Sequence, residues 1–312
     1  MTGLLWALES LAWDATYLTR VIIILGELVA KDPGGSWANR PANSLSTILL
    51  PWLPQTCAPI EKRQTAVATL LKEVPTVAWK LLLSLLPSSH GVSHGSHKPS
   101  WREMITDDWS RGVTDKEYWE QVAGYAELAI TSAKQDTSKL TELIDRLPDL
   151  PHSASDQVLV HLQSKTVLEM PERDRLPLWI ELVDLVTKHR RFADAQWAMK
   201  PDVVKEIENV AEHLAPSTIF RHQRLFSDRD FELYEEKGNY DEQTKDLEKR
   251  RENAVNEVIA VGGLEGVIDF AKSVHSAWRV GFAFGMIAGT EFDKDVLPAF
   301  LISDTKPVEQ FS

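Results

Sequence analysis

Apolar residues recur along the chain with the period of an α-helix. In most segments they stand three or four positions apart, which places them on one face of a helix. No segment alternates cleanly between apolar and polar residues, and no Asn-Gly or Asp-Gly hairpin turn occurs. The pattern predicts an all-α fold with apolar faces centred on residues 4–12, 18–28, 67–74, 81–86, 118–130, 140–147, 178–186, 203–214, 264–271 and 296–301.

The spacing of the helices indicates how they are arranged. Prolines separate many of the segments, and helix pairs follow one another at roughly the 34 to 47 residues of TPR, HEAT and armadillo repeats. A strict repeat cannot be aligned. We therefore predict a degenerate helical-repeat (TPR/HEAT-like) solenoid, with an irregular α-bundle as the alternative.

Several local signals mark where helices begin and end. Thr114 and Glu117 have the spacing of a capping box, in which each side chain accepts a backbone N–H of the other residue. Pro59 and Pro201 stand at predicted helix starts, where a missing N–H costs nothing. Gly262 and Gly263 predict a helix end, because glycine readily adopts the left-handed backbone of a C-cap.

Two long stretches interrupt the helices, residues 32–56 and 87–109. Loops of this length are uncommon in compact domains and often carry function. A run of mixed charge around Gly238 predicts a boundary between a lobe at 1–238, which holds both loops, and a C-terminal helical lobe at 239–312. Because helical periodicity begins almost at the first residue, we expect a fragment of a longer protein.

Composition narrows the classes of function. The 312 residues include 46 acidic and 34 basic side chains, which gives a net charge of −12, and one cysteine. The acidic excess argues against nucleic-acid binding, which needs clustered Lys and Arg. One cysteine permits no internal disulfide. The apolar runs are too short to cross a bilayer, and we expect a cytoplasmic protein without cofactors that does not bind membranes.

The second long stretch contains six candidate binding residues, which are His90, His94, His97, Lys98, Trp101 and Arg102. Three imidazoles and a water can complete a catalytic zinc site. However, no H-E-x-x-H motif or cysteine pair supports zinc binding, so a polar loop without metal is favoured. Trp and Arg are enriched at interface hot spots, and we interpret these residues as a surface that contacts a protein partner.

The first long stretch contains a similar pair, Trp37 and Arg40, after a double glycine. A tight turn there could present both side chains outwards to a partner. The alternative, which we favour for Trp37, is that its ring packs inwards and anchors the loop, because tryptophan usually buries most of its surface.

Motifs of catalysis are absent from the sequence. It contains no nucleophile elbow, Walker motif, dinucleotide fingerprint or kinase signature. Cys57 has no neighbouring His or Lys that would activate it, and the D-x-D pair Asp228/Asp230 is interpreted as solvated acids near a helix start. We therefore expect that the chain is not an enzyme, with a zinc-dependent hydrolase using His90, His94 and His97 as the less favoured alternative.

Seven passages carry a resemblance to a known class of protein: ALESLAWD (7–14), DPGGSWANRPANSL (32–45), LPWLPQT (50–56), VAWKLLLSLLPSSH (77–90), SHKPSWRE (96–103), HQRLFSDRDFELYEEKGNYDEQ (222–243) and SAWRVGFAFG (276–285). Together they resemble the α-helical C-terminal region of large bacterial STAND-type NTPases, which include antiviral defence proteins. The resemblance implies a sensor-like module without catalytic residues, whose partner is a protein, in defence a viral one, or other domains of the same chain. A structural scaffold is the alternative.

Overall fold

The computed structural model describes residues 2–35, 37, 39–88, 91, 93, 95–99, 109 and 112–288. Within these ranges the regular structure is α-helical with short 3-10 segments, and no β-strand occurs. The prediction of an all-α fold is therefore confirmed. No helix in the described ranges is both long enough and apolar enough to span a bilayer. The chain divides into two compact units, Met1–Val160 and His161–Ser312.

The first unit is built around the second of its helices. That helix, α2, packs against its neighbours α1, α3, α4 and α5, while α6 packs against α4, α5 and α7. The helices are α1 (Thr2–Ala12), α2 (Leu18–Ala30), α3 (Pro41–Leu49), α4 (Ile60–Glu73), α5 (Pro75–Leu85), α6 (Asp115–Ala133), α7 (Thr137–Asp145) and α8 (His152–Leu162), in which the division between the units falls.

A glycine allows α2 and α4 to pack closely. A Cβ atom at Gly26 would lie 2.4 Å from Leu70 Cδ1, far inside van der Waals contact. Both residues are buried. Any larger residue at position 26 would therefore force the two helices apart or displace Leu70 from the core.

Helix α3 corrects one expectation from the sequence. The stretch 32–56 was predicted as a long loop, but residues Pro41–Leu49 in its middle are helical. Pro41 occupies the first helical turn, where proline is tolerated, and Leu45, Ile48 and Leu49 bury one face. The pattern was missed because α3 is short and its first turn is polar.

Helix α6 confirms one signal from the sequence. Thr114 Oγ1 accepts a hydrogen bond from Glu117 N at 3.3 Å, and Glu117 Oε2 accepts one from Thr114 N at 2.9 Å, which completes the predicted capping box. Half of the surface of Trp119 on this helix is exposed, whereas Trp79 on α5 is buried.

The second unit contains the helices α9 (Lys165–Leu168), α10 (Glu172–Arg191), α11 (Pro201–Leu214), α12 (Asp230–Leu233), α13 (Tyr240–Ser273) and α14 (Ala277–Ile287), with a 3-10 segment at Ile219–Phe226. Helix α10 packs on α11, and α14 packs on α13. Gly263 has φ 59° and ψ −153° and kinks α13. The predicted helix break is therefore present as a bend, after which α13 continues.

The predicted boundary at residue 238 differs from the division that the structure shows. Residues on both sides of Gly238 form one apolar cluster, in which Leu233 and Tyr234 pack with Leu247 of α13. The division lies instead between residues 160 and 161. The charged run that suggested the boundary is the exposed start of α13, since most side chains from 235 to 246 face solvent.

Helix α4 carries a buried charge. Arg63 is 7% exposed, and its Nε and Nη1 atoms have no hydrogen-bond partner among the described residues. Burial lowers the pKa of this guanidinium, and Tyr125, Glu117 and Glu61 oppose that shift. Gln121, which lies between Glu117 and Tyr125 on one face of α6, is 1% exposed and also lacks side-chain partners in the described part of the chain.

We expect Arg63→Met to stabilise the first unit. A buried polar group without a partner costs about 1 to 3 kcal/mol, and methionine fills similar space without that cost. Urea unfolding followed by circular dichroism should show a higher free energy of unfolding. The exposed Arg20→Met is the control and should change stability by less than about 0.5 kcal/mol. A destabilised Arg63→Met variant would show that the guanidinium is hydrogen-bonded in solution.

Candidate functional site

The first predicted binding pair is split between surface and interior. Trp37 is 79% exposed, so the interpretation that its ring anchors the loop is wrong. Arg40 turns inwards, with Nη2 2.9 Å from Asp32 Oδ1. Its guanidinium lies beside Gly34 and Gly35, whose φ angles of 81° and 134° require glycine. Arg40 therefore holds the turn, and Trp37 is the exposed side chain of the pair.

The described residues of the second predicted site are held against the first unit. The His97 ring stacks on Trp6, with ring centroids 5.5 Å apart and planes 16° from parallel. Lys98 Nζ lies 4.1 Å from the ring centroid of Trp109 and 5.5 Å from that of Trp13. The imidazole of His97 and the ammonium group of Lys98 are therefore already engaged in contacts with tryptophans of the first unit.

A buried carboxylate joins the two long stretches. Glu9 of α1 is 8% exposed. Its Oε2 accepts a hydrogen bond from His97 N at 2.8 Å, and its Oε1 accepts one from Ser44 Oγ at 2.5 Å. Ser44 belongs to α3 and His97 to the second stretch, so one side chain fixes both to α1. Nothing in the sequence around Glu9 distinguishes it from a solvated acid.

The other four residues of the second predicted site, His90, His94, Trp101 and Arg102, lie outside the described residues. The described part of the chain contains no group of three or more His, Cys, Asp or Glu side chains that could hold a metal ion. The three-histidine zinc site, the less favoured alternative, is therefore neither supported nor excluded by the described residues.

A groove in the second unit is the larger candidate site, and the sequence did not indicate it. It has a volume of about 620 Å³, within the range of roughly 300 to 1,000 Å³ that ligand sites occupy. Its wall combines apolar side chains of α10, of α11 and of the residue that follows α11, namely Trp179, Val183, Val186, Ala211 and Ala215. These residues border the buried faces of the two helices, so their spacing alone predicts only a core.

Carboxylates dominate the polar lining of the groove. Glu208, Glu212, Glu235 and Glu236 face it, against the single guanidinium of Arg190. The negative charge of Glu208 is balanced by two cations, because Lys205 Nζ and Arg190 Nη2 both lie 2.6 Å from its Oε2. Both contacts lower the pKa of Glu208, and the hydrogen bond from Lys205 has the largest effect. Glu235 pairs with Arg250 at 2.9 Å.

Two acids of the groove remain available to a ligand. Among the described residues, neither Glu212 nor Glu236 has an ion-pair partner or a hydrogen bond to its carboxylate. Both are exposed. The groove therefore offers an apolar wall flanked by uncompensated negative charge.

His189 fixes the end of α10 below this groove. It is 3% exposed, and its Nδ1 accepts a hydrogen bond from Met199 N at 3.0 Å. The ring meets Trp197 edge to face, with centroids 5.4 Å apart. Burial first, and then the charge of Lys188, lower the pKa of His189. Its neutral ring therefore orders the connection to α11.

Comparison with known proteins finds no family model, curated protein or solved structure that matches the chain. The resemblance to STAND-type NTPases stays a prediction, and function is argued below from the side chains.

We expect Glu9→Ala to release the second long stretch from α1. Ser44 Oγ and His97 N would lose a charged acceptor, which costs about 2 kcal/mol. Hydrogen exchange at the Ser96 and His97 amides should accelerate, and urea unfolding should show the lost stability. Glu27→Ala removes an exposed acid from α2 as the control. Unchanged exchange in Glu9→Ala would contradict the assigned role of Glu9.

Stability should fall with acid through His189. Burial in the folded chain lowers its pKa below the ordinary histidine value of 6.5. The unfolded chain therefore takes up the proton first, so the stabilisation is complete above pH 6.5 and is lost as the pH falls towards the folded pKa. Urea unfolding between pH 7.5 and 5.5 should show a flatter pH dependence for His189→Gln than for the native chain. The exposed His275→Gln should keep the native slope; equal slopes for all three would refute the assignment.

Proposed function

We propose that this chain is a non-catalytic protein-recognition module whose second unit binds a segment of a partner protein in the α10–α11 groove. The observation that carries the proposal is the combination of an apolar wall with two unpaired carboxylates, Glu212 and Glu236. A partner that buries apolar side chains on Trp179 and Val183 gains affinity from that area. Lysines or arginines beside them would meet the acids and select the partner.

The chemistry of the groove favours binding over catalysis. Among the described residues, its lining contains no histidine, cysteine or serine, and the hydroxyl of Thr187 accepts a hydrogen bond from Arg224 Nη2 instead of facing a base. Helical surfaces of this kind commonly receive an amphipathic segment whose apolar face packs into the groove. Trp37 of the first unit offers a second contact, since a protruding, exposed tryptophan can act as a hot spot.

The resemblance to STAND-type NTPases supports a role for the proposed module in a larger protein. We propose that the chain is the sensor-like part of a larger bacterial STAND-type NTPase, with a defence role among the possibilities. Binding of a partner would then stabilise the active state of the larger protein over its resting state. The alternative of a scaffold assigns the groove to another domain of the same full-length protein.

We expect peptides selected on the full chain to need the groove. Random peptides displayed on phage should yield binders that combine apolar and basic residues, and their affinity should fall about tenfold or more with Glu212→Lys, because like charges then meet. Lysine near the end of α11 suits the helix dipole, so folding is preserved. Affinity can be measured by fluorescence anisotropy.

Glu206→Lys is the matched control, since it makes the same charge change on an exposed residue of α11 that does not line the groove. Selected peptides should bind it almost as they bind the native chain. The proposal fails if selection yields no binders, or if both variants bind the selected peptides equally.

A further inference from the structure

An uncovered row of large apolar side chains runs along α14. Trp278, Phe282 and Met286 are four residues apart, which places them on consecutive turns of one face. They are 50%, 53% and 64% exposed, respectively. The other face of α14 is buried in the core of the second unit. Three neighbouring exposed residues of this size form a patch of the kind that marks interaction sites.

An acidic row runs beside it on α13. Thr244, Glu248 and Glu252 are also four residues apart and share one face of that helix. All three are half-buried. In the described part of the chain, no ion pair or side-chain hydrogen bond reaches either carboxylate. The two rows face one cavity of about 220 Å³, whose lining includes Glu248, Glu252, Trp278 and Phe282. The ion-paired Asp230, Arg251 and Arg279 also line it.

A third carboxylate fixes the helices that carry these rows. Asp230 Oδ1 lies 2.5 Å from Arg251 Nη2 of α13, and Asp230 Oδ2 lies 2.8 Å from Arg279 Nη1 of α14. Arg279 also lies over the Trp278 ring, 4.6 Å from its centroid. Because Asp230 engages both guanidinium groups, they are not drawn to Glu248 and Glu252 in close ion pairs. The acidic row thus keeps its charge next to the apolar row.

We infer that the face formed by α13 and α14 is a docking site for an amphipathic, basic helix of a partner protein. An apolar row on that helix would cover Trp278, Phe282 and Met286, and its lysines or arginines would reach Glu248 and Glu252. A cation there would also lie close to the face of Phe282, which adds a cation–π attraction. The row extends from Trp278 to Met286, nine residues of α14 and about 12 Å along its axis, so two to three turns of a partner helix match it.

Charge decides which partner fits. An acidic partner would bring like charges against Glu248 and Glu252, which have no ion-pair partner among the described residues, whereas Arg251 and Arg279 of the same lining are paired with Asp230. A second copy of this chain, with its net charge of −12, meets the same repulsion. The site is separate from the α10–α11 groove, because the two sets of lining residues share no member.

Two synthetic helical peptides of 14 residues test the inference. They share one apolar row and differ only in the flanking row, which is lysine in one and glutamate in the other. In fluorescence anisotropy with the full chain, the lysine peptide should bind at least tenfold more tightly, and added salt should reduce the difference. Equal binding of the two peptides, or no binding of either, would overturn the inference.

Variants of the full chain show where the lysine peptide binds. Glu248→Gln combined with Glu252→Gln should weaken the lysine peptide about tenfold, and so should Phe282→Ser. The matched controls are Glu242→Gln with Asp246→Asn, which removes two exposed acids of α13 that do not line the cavity, and the exposed Val261→Ser. Equal losses in the controls would overturn the inference. Circular dichroism verifies that each variant is folded.

The α10–α11 groove is also acidic, so the peptide must be shown to avoid it. Glu212→Lys should leave the affinity of the lysine peptide nearly unchanged. Loss of binding in Glu212→Lys without loss in the Glu248/Glu252 variant would overturn the inference while supporting the groove proposed above. The reverse result supports the α13–α14 site whether or not the groove binds a partner.

Cross-linking identifies what covers the face. Trp278→p-benzoylphenylalanine in the full chain should give, on irradiation, a product that contains the lysine peptide, as read by mass spectrometry. A product in which position 278 is joined to residues 289–312 of the same chain, or to a second copy, would overturn the inference in favour of that occupant.

Discussion

Burial of apolar helix faces is the constraint on which both units depend. Many of the helices are short, such as α3 with 9 residues and α5 with 11, and isolated helices below about 12 to 15 residues are marginal in water. Each is therefore stable only where a neighbour covers its apolar face, as α4 covers α2 at Gly26. Apolar rows that no neighbour covers stand out against this background, and the row on α14 is the clearest.

Two carboxylates each accept hydrogen bonds from separate segments and thereby fix the positions of helices. Glu9 receives hydrogen bonds from α3 and from the residues after α5, and Asp230 receives them from α13 and α14. A partly buried carboxylate is stabilised only when its oxygen atoms accept hydrogen bonds with good geometry. Each of these acids therefore specifies one arrangement of its partners, whereas apolar contacts alone would tolerate several.

Helical periodicity predicted the fold class, because the period depends only on whether each residue is apolar or polar. The capping box at Thr114 and the first-turn proline at Pro201 were predictable because each depends only on residues that are close together in sequence. Helix α3 was not, since its pattern is too short to distinguish from a loop. Asp230 was read as a solvated acid, because its two arginine partners are 21 and 49 residues away in sequence.

The candidate sites were hidden by a related limit. Periodicity shows that Trp179 or Phe282 lies on a helix, but not whether another helix covers it. The same applies to Trp37, whose ring was expected to pack inwards and is exposed. Whether a side chain is covered depends on long-range packing, which local patterns do not encode.

The acidic excess of the chain acquires a structural meaning at these surfaces. An exposed apolar row invites self-association, because two copies could bury it against each other. Carboxylates beside the row on α14 and around the α10–α11 groove make that pairing unfavourable, since each copy would bring its own negative charge. The same carboxylates attract a basic partner over distances of about a Debye length. Under the two docking proposals, one distribution of charge thus opposes self-association and favours a basic partner, and a chain with neutral borders around these rows would lose both effects together.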